Sequence, residues 1–463
     1  MTTDQNYQQI YRVGGMLDAG FVGQITYTIS LDQVYDELDI HFSFDKRLYS
    51  ESDVTPELID RLQTLCTAKY DAPIYPVEEF RQTILHEMKT EIHTMAELND
   101  DFIGCIHRQL TDRHMLYTKE FTSDGCLAQD TFSGVLKVTV LVFNVLLDNT
   151  QYTLTVSGHP VGHGVIAPNF NLMDTVKTAA GNTGASNAAG SADNSCDAES
   201  APASAVATAG SSDVSGAGSA AMAGDSSTTG SSSAGNTVTA STRFKRLELH
   251  NHTVESDGSL TCQELTEYLA ADHVDAFAIT DHNTTSGQKK IEQLLEEKHY
   301  PISLIRGMEY TTYFGHILCL NLSKYVPWNS IDQHRPELLF EATRKKGALV
   351  GIAHPFSYGD PFARGCRFEM TISDYSKVDF IEIFNNPEPL HEVNERGTNL
   401  WMSLIFSGYQ ITATSGMDLH NRAKLAGCYA TYIEGKNGGN IASELDTAIH
   451  THRTWVSKGA LLL

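Results

Sequence analysis

An α/β protein is predicted by alternating strand and helix patterns over residues 243–463, period-two strands upstream, and a long aromatic-free stretch between them. The C-terminal half reads as a (β/α) barrel and the N-terminal half as a separate α+β domain. On this reading 1–172 is an accessory domain, 173–242 a disordered Ala/Gly/Ser/Thr-rich linker, and 243–463 the barrel. A chain of 463 residues exceeds one ordinary core, and its 41% apolar content is enough for globular packing.

In the N-terminal half, 24–30, 38–44, 137–143 and 152–156 have the alternation and β-branched content of strands. Residues 56–69 and 77–95 read as helices, the second because Ile84, Met88, Ile92 and Met95 recur at helical spacing as a core-facing stripe. His86, His93, His107 and His114 are read as non-ligating, since His86-Glu-Met-Lys-Thr lacks the second His of H-E-x-x-H. This half is expected to govern substrate access, partners or oligomer state.

No aromatic residue occurs between Phe170 and Phe244. Such a segment buries too little apolar surface to offset the cost of ordering it, and it reads as a plain spacer.

The barrel elements follow in order. Strands are expected at 247–252, 276–282, 303–309, 315–322, 348–354, 378–384, 410–415, 427–433 and 454–457. Helices are expected at 261–271, 286–298, 336–346, through Trp401, and at 441–451. In TIM-like barrels the C-terminal strand ends aim side chains into one pocket.

The net charge of -24 argues against a nucleic-acid surface, which needs clustered Lys and Arg to replace phosphate counterions. The eight cysteines form no C-x-x-C pair, which speaks against a disulfide framework or thiolate zinc site. No basic and apolar leader opens the sequence, and no run approaches the ~20 apolar residues of a membrane span. A cytoplasmic protein without membrane contact is expected.

Nine potential metal ligands fall at the ends of apolar runs: His250, His252, Asp257, His282, Glu309, His316, His354, Asp418 and His420. Side chains two apart on a strand share a face, so His250 with His252, and Asp418 with His420, point the same way. Imidazole and carboxylate without nearby thiolate suit Zn, Mn or Fe, and the pattern predicts a metallohydrolase. His-Asn-His at 250–252 is not read as an HNH nuclease motif, whose ligands have other spacing.

Asp257 stands in Glu-Ser-Asp-Gly, His282 in Ile-Thr-Asp-His-Asn, Glu309 in Arg-Gly-Met-Glu, His316 in Phe-Gly-His and His354 in Ile-Ala-His-Pro. In this order the motifs resemble the PHP (polymerase and histidinol phosphatase) metallohydrolases. The step from Gly-Met-Glu309 to Gly-His316, with Trp401 and Asp418-Leu-His420, resembles the CehA/McbA-like branch. The resemblance spans about 247–457 and implies a distorted (β/α)7 barrel with two or three divalent metal ions, Zn, Mn or Fe. It implies a first metal on His250, His252, Glu309 and Asp418. The second would share Glu309 and add His316 and His354, and the third would take Asp257, His282 and His420. Many family members have His where Asp257 stands, which shifts the expected metal preference toward Mn or Fe.

Glu309, Asp418 and His354 are then the expected catalytic-centre residues, with Asp281 as a hydrogen-bonded orienter of a ligand imidazole. Asn385, Arg306 and Arg422 are candidate substrate-binding residues, as are Arg364 and Arg367, since Arg commonly grips phosphate. The expected activity is phosphoester hydrolysis through a metal-bridging hydroxide, available because a metal lowers the pKa of water from 15.7 toward ~7. A small phosphorylated metabolite or nucleotide is the expected substrate. The alternatives are ester, amide or carbamate hydrolysis at the same centre, or a non-catalytic metal-binding interaction module. A DNA-proofreading role lacks a polymerase region, and a homo-oligomer is left open. His273, His299, His334, His391, His450 and His452 have no companion donor at ligand spacing and read as surface or capping residues.

Overall fold

A computed structural model describes residues 7–45, 47–70, 76–108, 110–146, 149–161, 175–177, 242–329, 331–332, 334–385 and 392–458. Apart from 175–177 and Thr242, the expected linker lies outside the described residues, as does His391.

The N-terminal half is one antiparallel sheet with a helical pair. Its strands are β1 (Gln8–Leu17), β2 (Gly23–Phe44), β3 (Glu91–Leu98), β4 (Asp101–Ile106), β5 (Asp112–Tyr117), β6 (Phe132–Asn144), β7 (Thr150–Pro160) and β8 (Thr175–Lys177), and its helices α1 (Pro56–Tyr70) and α2 (Val77–His86). The strand order is β1-β7-β2-β6-β3-β4, with β5 and β8 also on β2. The expected strands 24–30 and 38–44 are two arms of the single strand β2, whose register shifts between Leu31 and Tyr35 as it passes from β6 to β7.

One helix expectation is corrected. The helix predicted over 77–95 stops at His86, and Ile92 and Met95 lie on β3. Every residue of β3 is buried, with β4 and β6 as neighbours. Ile92 and Ala96 face one core while Met95 faces another. The strand does alternate, with Ile92, Thr94, Ala96 and Leu98 opposite Glu91, His93, Met95 and Glu97, but Ile92 and Met95 also continue the helical spacing of Ile84 and Met88 and so admitted a helical reading.

The C-terminal half contains β9 (Thr242–Glu248), α3 (Cys262–Ala271), β10 (Ala276–Ile279), α4 (Ser286–Lys298), β11 (Ser303–Thr312), β12 (Gly315–Leu320), α5 (Glu337–Arg344), β13 (Leu349–Ile352), β14 (Phe380–Asn385), α6 (Glu392–Phe406), β15 (Thr412–Gly416), β16 (Tyr429–Lys436), α7 (Ile441–His450) and β17 (Thr454–Lys458). Sheet order runs β15-β14-β13-β12-β11-β10-β9-β16-β17. Its ends meet where Ser415 N donates to Thr431 Oγ1 at 2.9 Å and Thr454 Oγ1 to Ala413 O at 2.8 Å, giving a nearly closed barrel. Antiparallel pairing sets β12 apart from β11 and β13, and β16 apart from β9, so the barrel sheet is not uniformly parallel.

The two halves share a core. Met95, Phe102, Cys105, Leu141 and Phe143 of the first sheet pack with Met308, Tyr310, Tyr313 and Ile317 of the barrel. Tyr313 Oη donates to Gly23 O at 2.8 Å, and Gln24 Nε2 to Asn329 O at 2.7 Å. Residues 1–181 and 241–463 accordingly form one compact unit, where the sequence led us to expect a separate accessory domain. One apolar face of the first sheet, with Met95, Leu141 and Phe143, packs against the barrel. The seven described cysteines are free, and no described helix is long and apolar enough to cross a membrane.

Candidate metal centre

The pocket is assembled where the barrel strands end. Beyond β9, His252 N donates to Leu419 O at 3.0 Å and Leu419 N to His250 O at 3.1 Å, so the two ligand-bearing segments run side by side. Asn251, between the two histidines, turns away and donates through Nδ2 to Ala278 O at 3.0 Å. A Cβ on Gly416 would lie 2.5 Å from His250 Cβ and 2.6 Å from Glu382 Oε1, so only glycine lets the β15 end approach. His354 and Asp418 hold left-handed backbones, φ 23° and 51°, an arrangement that costs energy and clusters at functional sites.

All nine expected ligands converge. Glu309 Oε2 lies 3.1 Å from His250 Nε2, 3.4 Å from His252 Nε2 and 3.0 Å from His282 Nδ1. Its Oε1 lies 2.9 Å from His316 Nδ1 and 3.0 Å from His354 Nε2. Asp418 Oδ1 adds contacts of 3.0 Å to His252 Nε2 and 3.4 Å to His250 Nε2. Asp257 Oδ1 sits 3.2 Å from His420 Nε2 and 3.6 Å from His282 Nε2. Donor atoms gather within 4.8 Å of one another in three barrel groups: His250, His252, Glu309 and Asp418; His252, Asp257, His282 and His420; and His282, Glu309 and His316. These groups differ from the sequence assignment in using His252 and His282 twice. His354 reaches Glu309 but falls outside the tight groups.

The donors fit cations. His250 Nε2, both ring nitrogens of His252, Asp257 Oδ1, Glu309 Oε2, His316 Nε2 and Asp418 Oδ1 are buried and hydrogen-bond to none of the described residues. Buried lone pairs left that way are costly, and divalent ions satisfy them. Charge tells the same story. Burial alone would lower the His250 imidazole, but Glu309, Glu382 and Asp418 hold it well above its ordinary value. Burial would raise Glu309, yet His250, His316 and His282 hold it well below. Burial, with His282 and His420 beside it, pushes His252 down to about 3 and so keeps it neutral, the form that ligates.

Surrounding side chains fix the ligands. Glu382 Oε1 lies 3.0 Å from His250 Nδ1, while its Oε2 accepts from His354 N at 3.0 Å and Asn385 Nδ2 at 3.0 Å. Glu248 Oε1 accepts from Met417 N at 2.8 Å, tying the β9 end to the β15 end, and burial pushes its carboxyl up to about 7. Sequence reasoning missed both acids. For Glu382 the signal was a charged residue inside the otherwise apolar run 380–384, whereas Glu248 ends a strand that already carries Arg243, Lys245 and Arg246 and had no such mark.

Several expectations are corrected. Asp281 touches no ligand imidazole; it accepts from Thr253 N at 2.7 Å, Ser256 Oγ at 2.7 Å and Thr253 Oγ1 at 2.8 Å, and so holds the loop that carries Asp257. Asn385 is buried and donates through Nδ2 to Glu382 Oε2 at 3.0 Å. Arg306 points outward to Glu292 on α4. Arg422 is exposed over the Tyr268 ring, Arg364 pairs with Asp360, and Arg367 lies over Tyr70 and Phe356. Trp401 Nε1 donates to Ile411 O at 2.8 Å, a link between α6 and β15.

Two histidines discounted in the N-terminal half reach the site. His107 Nε2 is 3.4 Å from Asp257 Oδ2, and its ring stacks on His282 with centroids 4.2 Å apart. His93 lies behind it, 3.9 Å between ring centroids, and Glu91 Oε1 is 3.1 Å from His93 Nε2. Nothing in local spacing could have shown this, since the partners lie on different halves of the chain. His114 instead pairs with Asp39 at 2.9 Å on the first sheet. His299 caps α4 in a left-handed conformation, as a surface reading expects.

Residues 7–160 match a family described as a family of unknown function (DUF6669). The chain is 34% identical over 133 residues to the 5'-3' exoribonuclease Rnm of Escherichia coli K12, 26% of this chain and 45% of that protein. It is 30% identical over 112 residues to an uncharacterized protein of Methanocaldococcus jannaschii, 24% of this chain and 58% of that one. The chain thus spans about half the length of these curated relatives. Among solved structures, it is similar to a two-domain protein from Bacteroides vulgatus described as containing a predicted PHP-like metal-dependent phosphoesterase: 17% identity, 47% of this chain and 66% of that one, TM-score 0.36. It is also similar to an amidohydrolase from Chromobacterium violaceum: 16% identity, 38% of this chain and 87% of that one, TM-score 0.29. Neither structural likeness defines a family for this chain.

Proposed function

We propose that the chain is a PHP-type metal-dependent hydrolase, CehA/McbA-like in its motif order, that cleaves a phosphoester in a small phosphorylated metabolite or nucleotide. Glu309 carries the reading: a buried carboxylate whose two oxygens are divided between two sets of imidazoles is suited to bridge cations. His250, His252, Glu309 and Asp418 would hold one ion, Glu309, His316 and His354 a second, and Asp257, His282 and His420 a third. Bound there, divalent ions supply Lewis acidity, acidify water and neutralise charge on phosphoryl oxygens. The protein's own part is orientation: Glu382 fixes His250 and the His354 backbone, and Asp281 fixes the Asp257 loop.

A second reading, removal of nucleotides from RNA, is favoured by the 34% identity to a protein named as a 5'-3' exoribonuclease. The net charge of -24 weighs against a long polyanion and keeps the smaller substrate first. The test is a panel of phosphomonoesters, nucleotides, 5'-phosphorylated oligoribonucleotides and carboxyl esters, assayed with Mn, Zn or Fe. Turnover of a phosphomonoester or nucleotide that vanishes in Glu309→Ala supports the first reading. Preferential degradation of oligoribonucleotides supports the second, and hydrolysis of carboxyl esters alone sinks both.

A further inference from the structure

We propose that the N-terminal sheet is a working part of the metal centre, with His107 as the positioning residue that fixes Asp257 for the third cation. This inference builds on the metal-centre reading above and assigns a chemical task to the segment matching a family of unknown function.

The Asp257 carboxylate divides its oxygens. Oδ1 faces the barrel donors, 3.2 Å from His420 Nε2 and 3.6 Å from His282 Nε2, whereas Oδ2 faces His107 Nε2 at 3.4 Å. One oxygen turned to the ligand cluster and the other to a ring nitrogen outside it is the arrangement by which a neighbour orients a ligating carboxylate. His107 is itself held. Its ring lies between those of His282 and His93, with centroids 4.2 Å and 3.9 Å away, and Glu91 Oε1 anchors His93 at 3.1 Å. All three are buried, on or just beyond β3 and β4.

The same half of the chain also clamps the loop that carries Asp257. Gly125 N donates to Glu255 Oε2 at 3.1 Å and Arg108 Nη2 to Gly258 O at 3.4 Å, while Gly125 O accepts from Thr284 Oγ1, between β10 and α4, at 2.9 Å. Gly125 has φ 81°, and a Cβ there would lie 2.3 Å from Cys105 O and 2.9 Å from Glu255 O, so the contact is built for glycine. Asp281 grips the loop from the barrel side and the first sheet from the other. Asp257 has 27% of its side chain exposed, and a ligand that open needs such support to keep one rotamer.

Metal stoichiometry and affinity are measured on the full chain by titration and elemental analysis, beside the melting temperature of the metal-free protein. Wild type is expected to bind a third equivalent that Asp257→Ala loses. His107→Ala should weaken that equivalent about 10–100-fold and leave the other two unchanged. His107→Gln, which keeps an N–H donor near the Nε2 position, should recover most of the affinity. Combining His107→Ala with Asp257→Ala should cost no more than Asp257→Ala alone, because the two act as one unit. The inference is overturned by wild-type affinity in His107→Ala, by equal loss in His107→Gln, or by loss of all equivalents with a lowered metal-free melting temperature. Wild type binding two equivalents overturns this inference alone; binding none overturns the metal-centre reading with it.

Discussion

Glu309 meets five imidazoles with two oxygens, and Glu382 reaches His250, the His354 backbone and Asn385 with its own two. Their substitutions separate in kind. Glu309→Ala or Asp418→Ala is expected to abolish turnover in the phosphatase assay and to remove bound metal, since each takes a carboxylate from the first group. Glu382→Ala should retain activity at saturating metal while metal affinity, read by titration, falls about 10–100-fold. Asn385→Ala should follow Glu382→Ala in direction, raising the metal requirement rather than KM; a pure KM effect would mean that Asn385 touches substrate. Arg306→Ala should leave kcat and KM unchanged, because its guanidinium pairs with Glu292 away from the pocket.

Elements owe their positions to local signals in the barrel and to tertiary contacts in the first sheet. Thr261 opens α3 with a reciprocal capping box to Glu264, and Thr261→Ala should cost about 1 kcal/mol in a urea titration. Phe143 at the end of β6 is fully buried, with centroids 4.4 Å from His93 and 4.8 Å from Tyr313. Phe143→Ala should cost about 3–5 kcal/mol, because it opens a cavity between the halves. A loss near zero would mean that the shared core does not form. The alternation of strand and helix made α3, α4 and α7 legible, and the ends of apolar runs marked the nine side chains that the fold brings together. β3 was read as helix because Ile92 and Met95 continue the helical spacing of Ile84 and Met88 across the end of α2, and that longer stripe masked the short alternation of 91–98.

At the scale of the whole molecule, the first sheet covers the barrel face that holds Met308, Tyr310 and Tyr313. Residues 242–463 expressed alone should therefore be poorly soluble, and co-expression with 1–177 as a second chain should restore a complex on gel filtration. Full solubility and metal binding by 242–463 alone would contradict the shared core. Chelation should lower the melting temperature of the intact protein, as loss of any ligand bound only by the native state does. At a free metal level of 100 Kd each site contributes about 2.7 kcal/mol. An unchanged melting temperature after chelation would leave the buried carboxylates and imidazoles without the counter-charge they need.

The order of donors from His250 to His420, and the helix and strand periods that carry them, are properties of the sequence by itself. Each is set by residues near one another along the chain, where spacing and side-chain chemistry can be read directly. Only the tertiary structure decided that Asp281 grips a loop, that Arg306 faces outward, and that His107 stands beside Asp257. The first two outcomes depend on contacts inside the barrel and the third on how two sheets pack across a shared core, and such contacts join separate segments without leaving a periodic mark on either.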